Sequence, residues 1–284
     1  MHRGAGIDRT AIISKGAIIG EATSVGPYSV IGPNVILGRR NRIGPHVVID
    51  GFTTIGDDNQ LFQFCSVGAP PQDLKWQGES SQLVIGNGNI VREYVTIQPG
   101  VAGAGGMTRV GDANLFMACS HVAHDCTVGD GNWFANSAAL GGHVVVGNHA
   151  IMGGLSAVHQ FCRIGDLAFL AGGAMASLDI PPFCLAQGDR ARLVKINDVG
   201  LKRHGFASAE IFALRSGFRA LFHGSGKLQD RIEEVRYRYA DQRGFAQLLA
   251  FVATTRRGIA APRHRRPLAA SPAIESSMEE RAIG

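Results

Sequence analysis

The chain of 284 residues carries a net charge of +5, with 45% hydrophobic and 18% charged side chains and an excess of glycine, 38 in all. That balance is too apolar for disorder, and without a Gly-X-Y period it excludes collagen. No run approaches the ~18 uninterrupted apolar residues of a membrane span, and MHRGAGIDRT at the N-terminus offers no apolar stretch for a signal peptide.

Stepping by six from Ile13 meets an aliphatic residue at ten consecutive positions, ending at Val67. The same phase returns at Ile85, Val91 and Ile97, slips by one residue, and then runs from Val110 to Leu170, so that 24 apolar positions obey the step. Glycine often follows the apolar residue, as at Gly20, Gly26 and Gly129, where a tight corner is expected to need permissive backbone angles. A period of six suits neither an amphipathic helix nor an alternating strand, but it suits a parallel β-helix whose apolar positions point into a shared interior. The pattern resembles the left-handed β-helix of the hexapeptide-repeat acyltransferases, in which three hexads close a triangular coil of 18 residues.

Two segments interrupt the ladder, PPQDLKWQGESS at 70–81 and the glycine-rich PGVAGAGGM at 99–107. Both read as loops, the usual carriers of binding residues on a rigid scaffold. The hexads stop near Pro181-Pro182, so the β-helix is expected over 1–183. A small α-helical domain follows over 184–258, with helices near 208–223 (Ser208 as N-cap), 227–240 and 244–256. The polar segment 259–284 reads as a disordered tail. Charge is uneven along this plan: residues 1–183 hold 10 Lys/Arg against 13 Asp/Glu, whereas 184–266 hold 17 against 7. An anionic ligand or acidic partner would be drawn to the C-terminal third; nucleic acid is not expected, since no aromatic platform or recognition motif accompanies the charge.

A coil of 18 residues stacks positions 18 apart. His124 then lies over Gly142 and Gln160, and Asp125 over His143 and Phe161, with His121 and His159 on the same wall and outside the interior positions. Three readings fit this wall. Three histidines can hold zinc with an open water position, as in the γ-class carbonic anhydrases on the same fold, although the H-x2-H spacing at 121 and 124 differs from their H-x4-H pair. Alternatively, a histidine base and a backbone N–H can drive acyl transfer to a hydroxyl, with His124 as base, Asp125 orienting an imidazole and Gly142 as oxyanion donor. No serine or cysteine nucleophile is then required, and Cys119 and Cys126 read as turn or core residues. The third reading is a scaffold with incidental histidines. The five cysteines are odd in number and lack CxxC spacing, so reduced thiols and a cytoplasmic protein are expected.

The motifs QDLKW at 72–76, HVAHDC at 121–126, GGHV at 141–144, AVHQF at 157–161, IPPF at 180–183 and GLKRHGF at 200–206, in this order, resemble the acyl-[acyl-carrier-protein]–UDP-N-acetylglucosamine O-acyltransferases. The resemblance runs from the first hexads to about residue 258. It implies a homotrimer in the cytoplasm of a Gram-negative bacterium, with sites in the clefts between subunits, acting at the first step of lipid A biosynthesis. It implies no bound metal or cofactor, the acyl donor being a 3-hydroxyacyl chain on the phosphopantetheine of acyl carrier protein and the acceptor the 3-hydroxyl of UDP-N-acetylglucosamine. By position, His124 is the general base, Asp125 its support and Gly142 the oxyanion donor. Asp73, Lys75, His121, His143, His159 and Gln160 line the sugar and donor pocket, Arg203 meets the nucleotide diphosphate, and Gly172 and Arg190 border an acyl groove left long by the glycine. His204 stands where the family usually has a second arginine, and Val199 where some members have an acidic residue near the uracil. Some relatives acylate a 3-amino sugar instead. The N-acyltransferase of the same pathway carries an extra domain before its hexads, which here begin by residue 13.

Overall fold

The computed structural model describes residues 6–101 and 105–262. From Ile12 to Ala176 the backbone forms short strands, mostly two residues long, in which the hexad residue is the second and the buried one; Ile31, Leu37 and Ile49 are almost wholly enclosed. Strands 18 residues apart pair in parallel, as in His121↔Ala139 and Ala139↔Ala157. They build three sheets of nine, eight and ten strands among the described residues. Each three-hexad coil contributes one strand to each face, and the fold is a left-handed parallel β-helix followed by a few helices.

Two coils are longer than the rest: Ser66 pairs with Thr96, and Thr96 with His121. The additional residues of the first are 70–81, which contain no strand. Those of the second fall before strand Met107–Val110, with 102–104 outside the described residues. Both segments leave the nine-stranded face and re-enter at the eight-stranded face. They therefore emerge from one edge of the prism.

Polar groups inside the coil are satisfied by stacking. The Asn59 N–H donates to Asn41 Oδ1 (2.8 Å), Asn89 N–H to Asn59 Oδ1 (2.9 Å), Asn114 N–H to Asn89 Oδ1 (2.9 Å) and Asn132 N–H to Asn114 Oδ1 (2.8 Å). This buried ladder avoids the cost of orphaned amides. The repeat glycines require a correction to the sequence reading. The left-handed backbone angles at the corners belong mainly to other residues, such as Tyr28, His46, Asp125 and His143, whereas Gly20, Gly26 and Gly129 do not adopt them. These glycines are needed for close approach: a Cβ on Gly26 would lie 2.7 Å from the Gly44 carbonyl carbon of the next coil, and one on Gly129 would fall 2.6 Å from Gly147 O.

The strands continue past residue 183. Cys184–Gln187 pairs with Phe169–Leu170 in parallel and with Arg192–Ile196 as an antiparallel hairpin, extending the ten-stranded face into the segment expected to be helical. Four helices follow or flank it: α1 (Asp198–Arg203), α2 (Ser208–His223), α3 (Leu228–Arg238) and α4 (Phe245–Ala253). In α2, Ser208 is the first helical residue and Ala207 the cap, whose N–H donates to Glu210 Oε2 (2.6 Å). Glu210 thus satisfies the N–H of the cap residue itself, and no side chain caps the first turn in the way expected of the serine. Ile259 and Pro262, expected in the tail, bridge to Asp179 and Leu193. The rest of the expected tail, from 263, lies outside the described residues. No helix among the described residues is long and apolar enough to cross a membrane.

Candidate active site

The edge from which both loops emerge also carries the histidine wall. At each coil it turns through a residue with positive φ: Asp125 (57°), His143 (61°) and Phe161 (65°). The His143 N–H donates to His124 O and the Phe161 N–H to Gly142 O, both at 3.0 Å, so the columns His124–Gly142–Gln160 and Asp125–His143–Phe161 stand as the 18-residue spacing predicts. The residue before the positive-φ position does not need its N–H for the ladder. At other corners Pro27 and Pro45, which have no N–H, occupy that place ahead of Tyr28 and His46. At this edge the place is held by Gly142, whose N–H has no hydrogen-bond acceptor among the described residues.

The His124 imidazole lies directly over Gly142, where any Cβ would collide with its Cε1 and Nε2. Its Nδ1 hydrogen-bonds Asp125 Oδ2 at 2.8 Å, which leaves Nε2 directed outward. The Asp125 side chain is only 3% exposed, and its Oδ2 also accepts the Val101 N–H at 3.0 Å; Oδ1 has no partner. His143 meets the His124 ring edge-on at 5.1 Å and stacks face to face on Phe161, 4.4 Å between centroids with 4° between planes. Burial holds the His143 imidazole below its ordinary range, with Asp125, 4.0 Å from Nε2, pulling the other way.

The first loop reaches this group. The Lys75 N–H donates to Asp73 Oδ1 (2.9 Å), and Asp73 Oδ2 stands 3.9 Å from His124 Nε2, beyond a hydrogen bond. His121, mostly buried, bonds Thr96 Oγ1 through Nδ1 at 2.7 Å; burial first, and then His124, lower its pKa. His159 and Gln160 are exposed on the next coil, the His159 Nδ1 lying 3.1 Å from the Gln160 carbonyl oxygen. Cys126 is buried, with its thiol pushed up to about 12 by desolvation, and Cys119 is an exposed turn residue at positive φ. The ligand atoms of His124, Asp125 and His143 lie within 4.8 Å of one another, a set that could hold a metal ion. The short Nδ1–Asp125 bond commits one His124 nitrogen and leaves Nε2 for any ligand.

Three expected site residues stand elsewhere. Arg203 lines a cavity of about 490 Å³ together with Trp133, His149, Phe169 and Lys195, and no member of the His124 group lines it. Arg190 lies in the turn of the last hairpin, which bonds the coil at Met175, three residues after Gly172. The Met175 N–H donates to Gly188 O (3.0 Å) and the Ala191 N–H to Met175 O (2.9 Å), which sets the Arg190 turn beside the coil that contains Gly172. Sequence reasoning missed Val101 and Thr96. Thr96 was accessible once the 25-residue register across the second loop is allowed for, whereas Val101 sits within that loop, where no period operates.

The coil is built from hexapeptide repeats, and a profile for bacterial transferase hexapeptides matches residues 16–51. A second profile, UDP N-acetylglucosamine O-acyltransferase domain 2, matches residues 179–260. The chain is 49% identical over 209 residues to an acyl-[acyl-carrier-protein]–UDP-N-acetylglucosamine O-acyltransferase of Myxococcus xanthus (74% of this chain, 81% of that protein). It is 44% identical over 254 residues to the protein of that name from Aliarcobacter butzleri (89% and 97%). Among solved structures, the UDP-N-acetylglucosamine acyltransferases of Francisella novicida and Campylobacter jejuni superpose with TM-scores of 0.87 and 0.86 at 33% and 35% identity. These alignments cover 90% and 91% of this chain and 94% and 100% of theirs. The chain belongs to the acyl-[acyl-carrier-protein]–UDP-N-acetylglucosamine O-acyltransferase family and is an acyltransferase.

Proposed function

We propose that the protein transfers a 3-hydroxyacyl chain from the phosphopantetheine of acyl carrier protein to the 3-hydroxyl of UDP-N-acetylglucosamine, in clefts of a homotrimer, without a metal ion. The observation that carries the mechanism is the His124–Asp125 bond of 2.8 Å above the free Gly142 N–H. The buried Asp125 Oδ2 accepts from His124 Nδ1 and so fixes the tautomer, and Nε2 presents its lone pair to the acceptor. His124 Nε2 removes the sugar hydroxyl proton as the oxygen attacks the thioester carbonyl. The resulting oxyanion is met by the Gly142 N–H, and collapse expels the pantetheine thiolate, which recovers the proton from His124. Asp73 stabilises the transient imidazolium from the side opposite Asp125. His121, His143 and Gln160 contact the sugar and donor, and Arg203 holds the nucleotide diphosphate from a neighbouring subunit. The basic 184–266 segment supplies attraction for the acidic carrier protein.

His124→Ala should lower turnover of 3-hydroxyacyl carrier protein with UDP-N-acetylglucosamine by about 10²–10⁴-fold while the far-ultraviolet circular dichroism is unchanged. Undiminished turnover overturns the assignment. A 3-amino analogue of the acceptor, offered in the same assay, separates ester from amide formation, and loss of activity on chelation would revive the metal reading.

A further inference from the structure

The cavity that holds Arg203 contains a histidine pair unrelated to the His124 wall. His204, at the C-terminal cap of α1, and His149, at a coil corner, have ring centroids 4.5 Å apart at 42°. Both are exposed toward the cavity they line. The His204 Nδ1 lies 2.9 Å from Gly200 O, a carbonyl that can only accept, so Nδ1 carries a hydrogen and Nε2 is the nitrogen left for a ligand. His149 is held over Gly131, where a Cβ would strike its ring, so its imidazole is confined between that glycine and His204.

The surroundings favour an anion. The cavity is lined by the apolar side chains of Trp133, Ile151, Phe169 and Leu185 and by the basic Arg203 and Lys195 together with the two imidazoles. Asp198, the carboxylate lining the same cavity, is held by Arg215 Nη2 at 2.8 Å and lies 3.7 Å from Lys195 Nζ. On the coil side the neighbouring charges are Asp130 and Asp166. Their Oδ1 atoms accept the Asp112 and Asn148 N–H groups, and Gln247 of α4 bonds Asp166 Oδ2 at 2.7 Å. Arg203 appears in none of the ion pairs among the described residues.

We infer that His149 and His204 form a proton-linked clamp for the diphosphate of the nucleotide sugar, so that binding of UDP-N-acetylglucosamine takes up a proton at this pair. The inference rests on the acceptor assigned under the proposed function. A neutral Nε2 is a lone pair and repels a phosphate oxygen; protonation converts it into a charged donor. Two imidazolium rings at this separation repel one another, and a dianion between them removes that cost. Proton uptake and ligand binding therefore favour each other, which an arginine at position 204, permanently charged, would not produce.

UDP-N-acetylglucosamine is a suitable probe, because its pyrophosphate is doubly esterified and keeps its charge across the imidazole range. Its dissociation constant, measured by calorimetry from about pH 6 to about pH 8, should rise with pH by up to about tenfold per unit for each proton taken up. His204→Arg should keep high affinity with only the smaller slope that His149 supplies, and His149→Gln or His204→Gln should lower both the slope and the affinity at acid pH. Arg203→Ala should weaken binding at every pH while keeping the slope. Uridine, lacking phosphate, should bind without a slope. If both Gln variants keep the wild-type slope, the clamp is wrong while the acceptor assignment stands. If the nucleotide sugar fails to bind the wild-type protein at any pH, the acceptor assignment itself fails, and the clamp with it.

Discussion

At Gly142 the missing side chain serves two ends at once. Its Cα carries the His124 imidazole directly above it, and the turn leaves its N–H without an acceptor. Gly142→Ala keeps the N–H, so a loss of activity would report the displaced base rather than the donor. The added methyl would displace the ring and stretch the 2.8 Å bond to Asp125. Because small misplacements of a catalytic group cost about 10²-fold, turnover of the variant should fall by roughly that factor with thermal stability little changed, as read by steady-state kinetics and a melting curve. This column is legible in the sequence because stacking depends only on the 18-residue step. The partners that hold Asp125 in place are less so: Val101 comes from a loop whose path the period does not set, and Phe161 is read as Asp125's neighbour two coils away although its ring lies on His143.

Between elements, the last coil is fastened to α4 by one buried carboxylate. Asp179, 1% exposed, takes Arg163 Nε at 3.0 Å, the Arg163 N–H at 2.8 Å and Thr255 Oγ1 at 2.9 Å. The guanidinium continues to the Phe251 carbonyl oxygen at 2.8 Å and lies over the Phe251 ring. Arg163→Ala would leave the carboxylate buried without its cation, a loss of about 3–5 kcal/mol measured by urea unfolding; a change below about 1 kcal/mol would mean that Thr255 and the backbone suffice. None of this is visible in the hexads. Asp179 falls where the period ends, and its partner Thr255, just past α4, is 76 residues away in sequence. The strands Cys184–Gln187 and Arg192–Ile196 escape notice for a similar reason. The step from Phe169 to Leu185 is 16, two short of a coil, and breaks the phase that reveals the earlier strands.

At the scale of the whole molecule, the His124 wall and the Arg203 cavity lie on different edges of one prism and share no lining residue. A nucleotide sugar that meets both must therefore bridge two copies of the chain, as in a closed ring with heterologous contacts. This arrangement has a consequence that a one-chain site does not. In the proposed trimer, subunits carrying His124→Ala and subunits carrying Arg203→Ala, co-expressed with different tags and purified through both tags, should regenerate intact clefts. Every ring that holds both kinds of subunit places a wild-type His124 opposite a wild-type Arg203 in one cleft of its three. Arg203→Ala alone should weaken substrate use by about 10–100-fold through one lost charge-assisted contact, and His124→Ala alone should be nearly silent. At low UDP-N-acetylglucosamine, mixed trimers should then reach about a third of wild-type activity, well above either parent. Activity no higher than half that of the Arg203→Ala protein would mean that both residues serve the same chain, and the inter-subunit cleft would have to be abandoned.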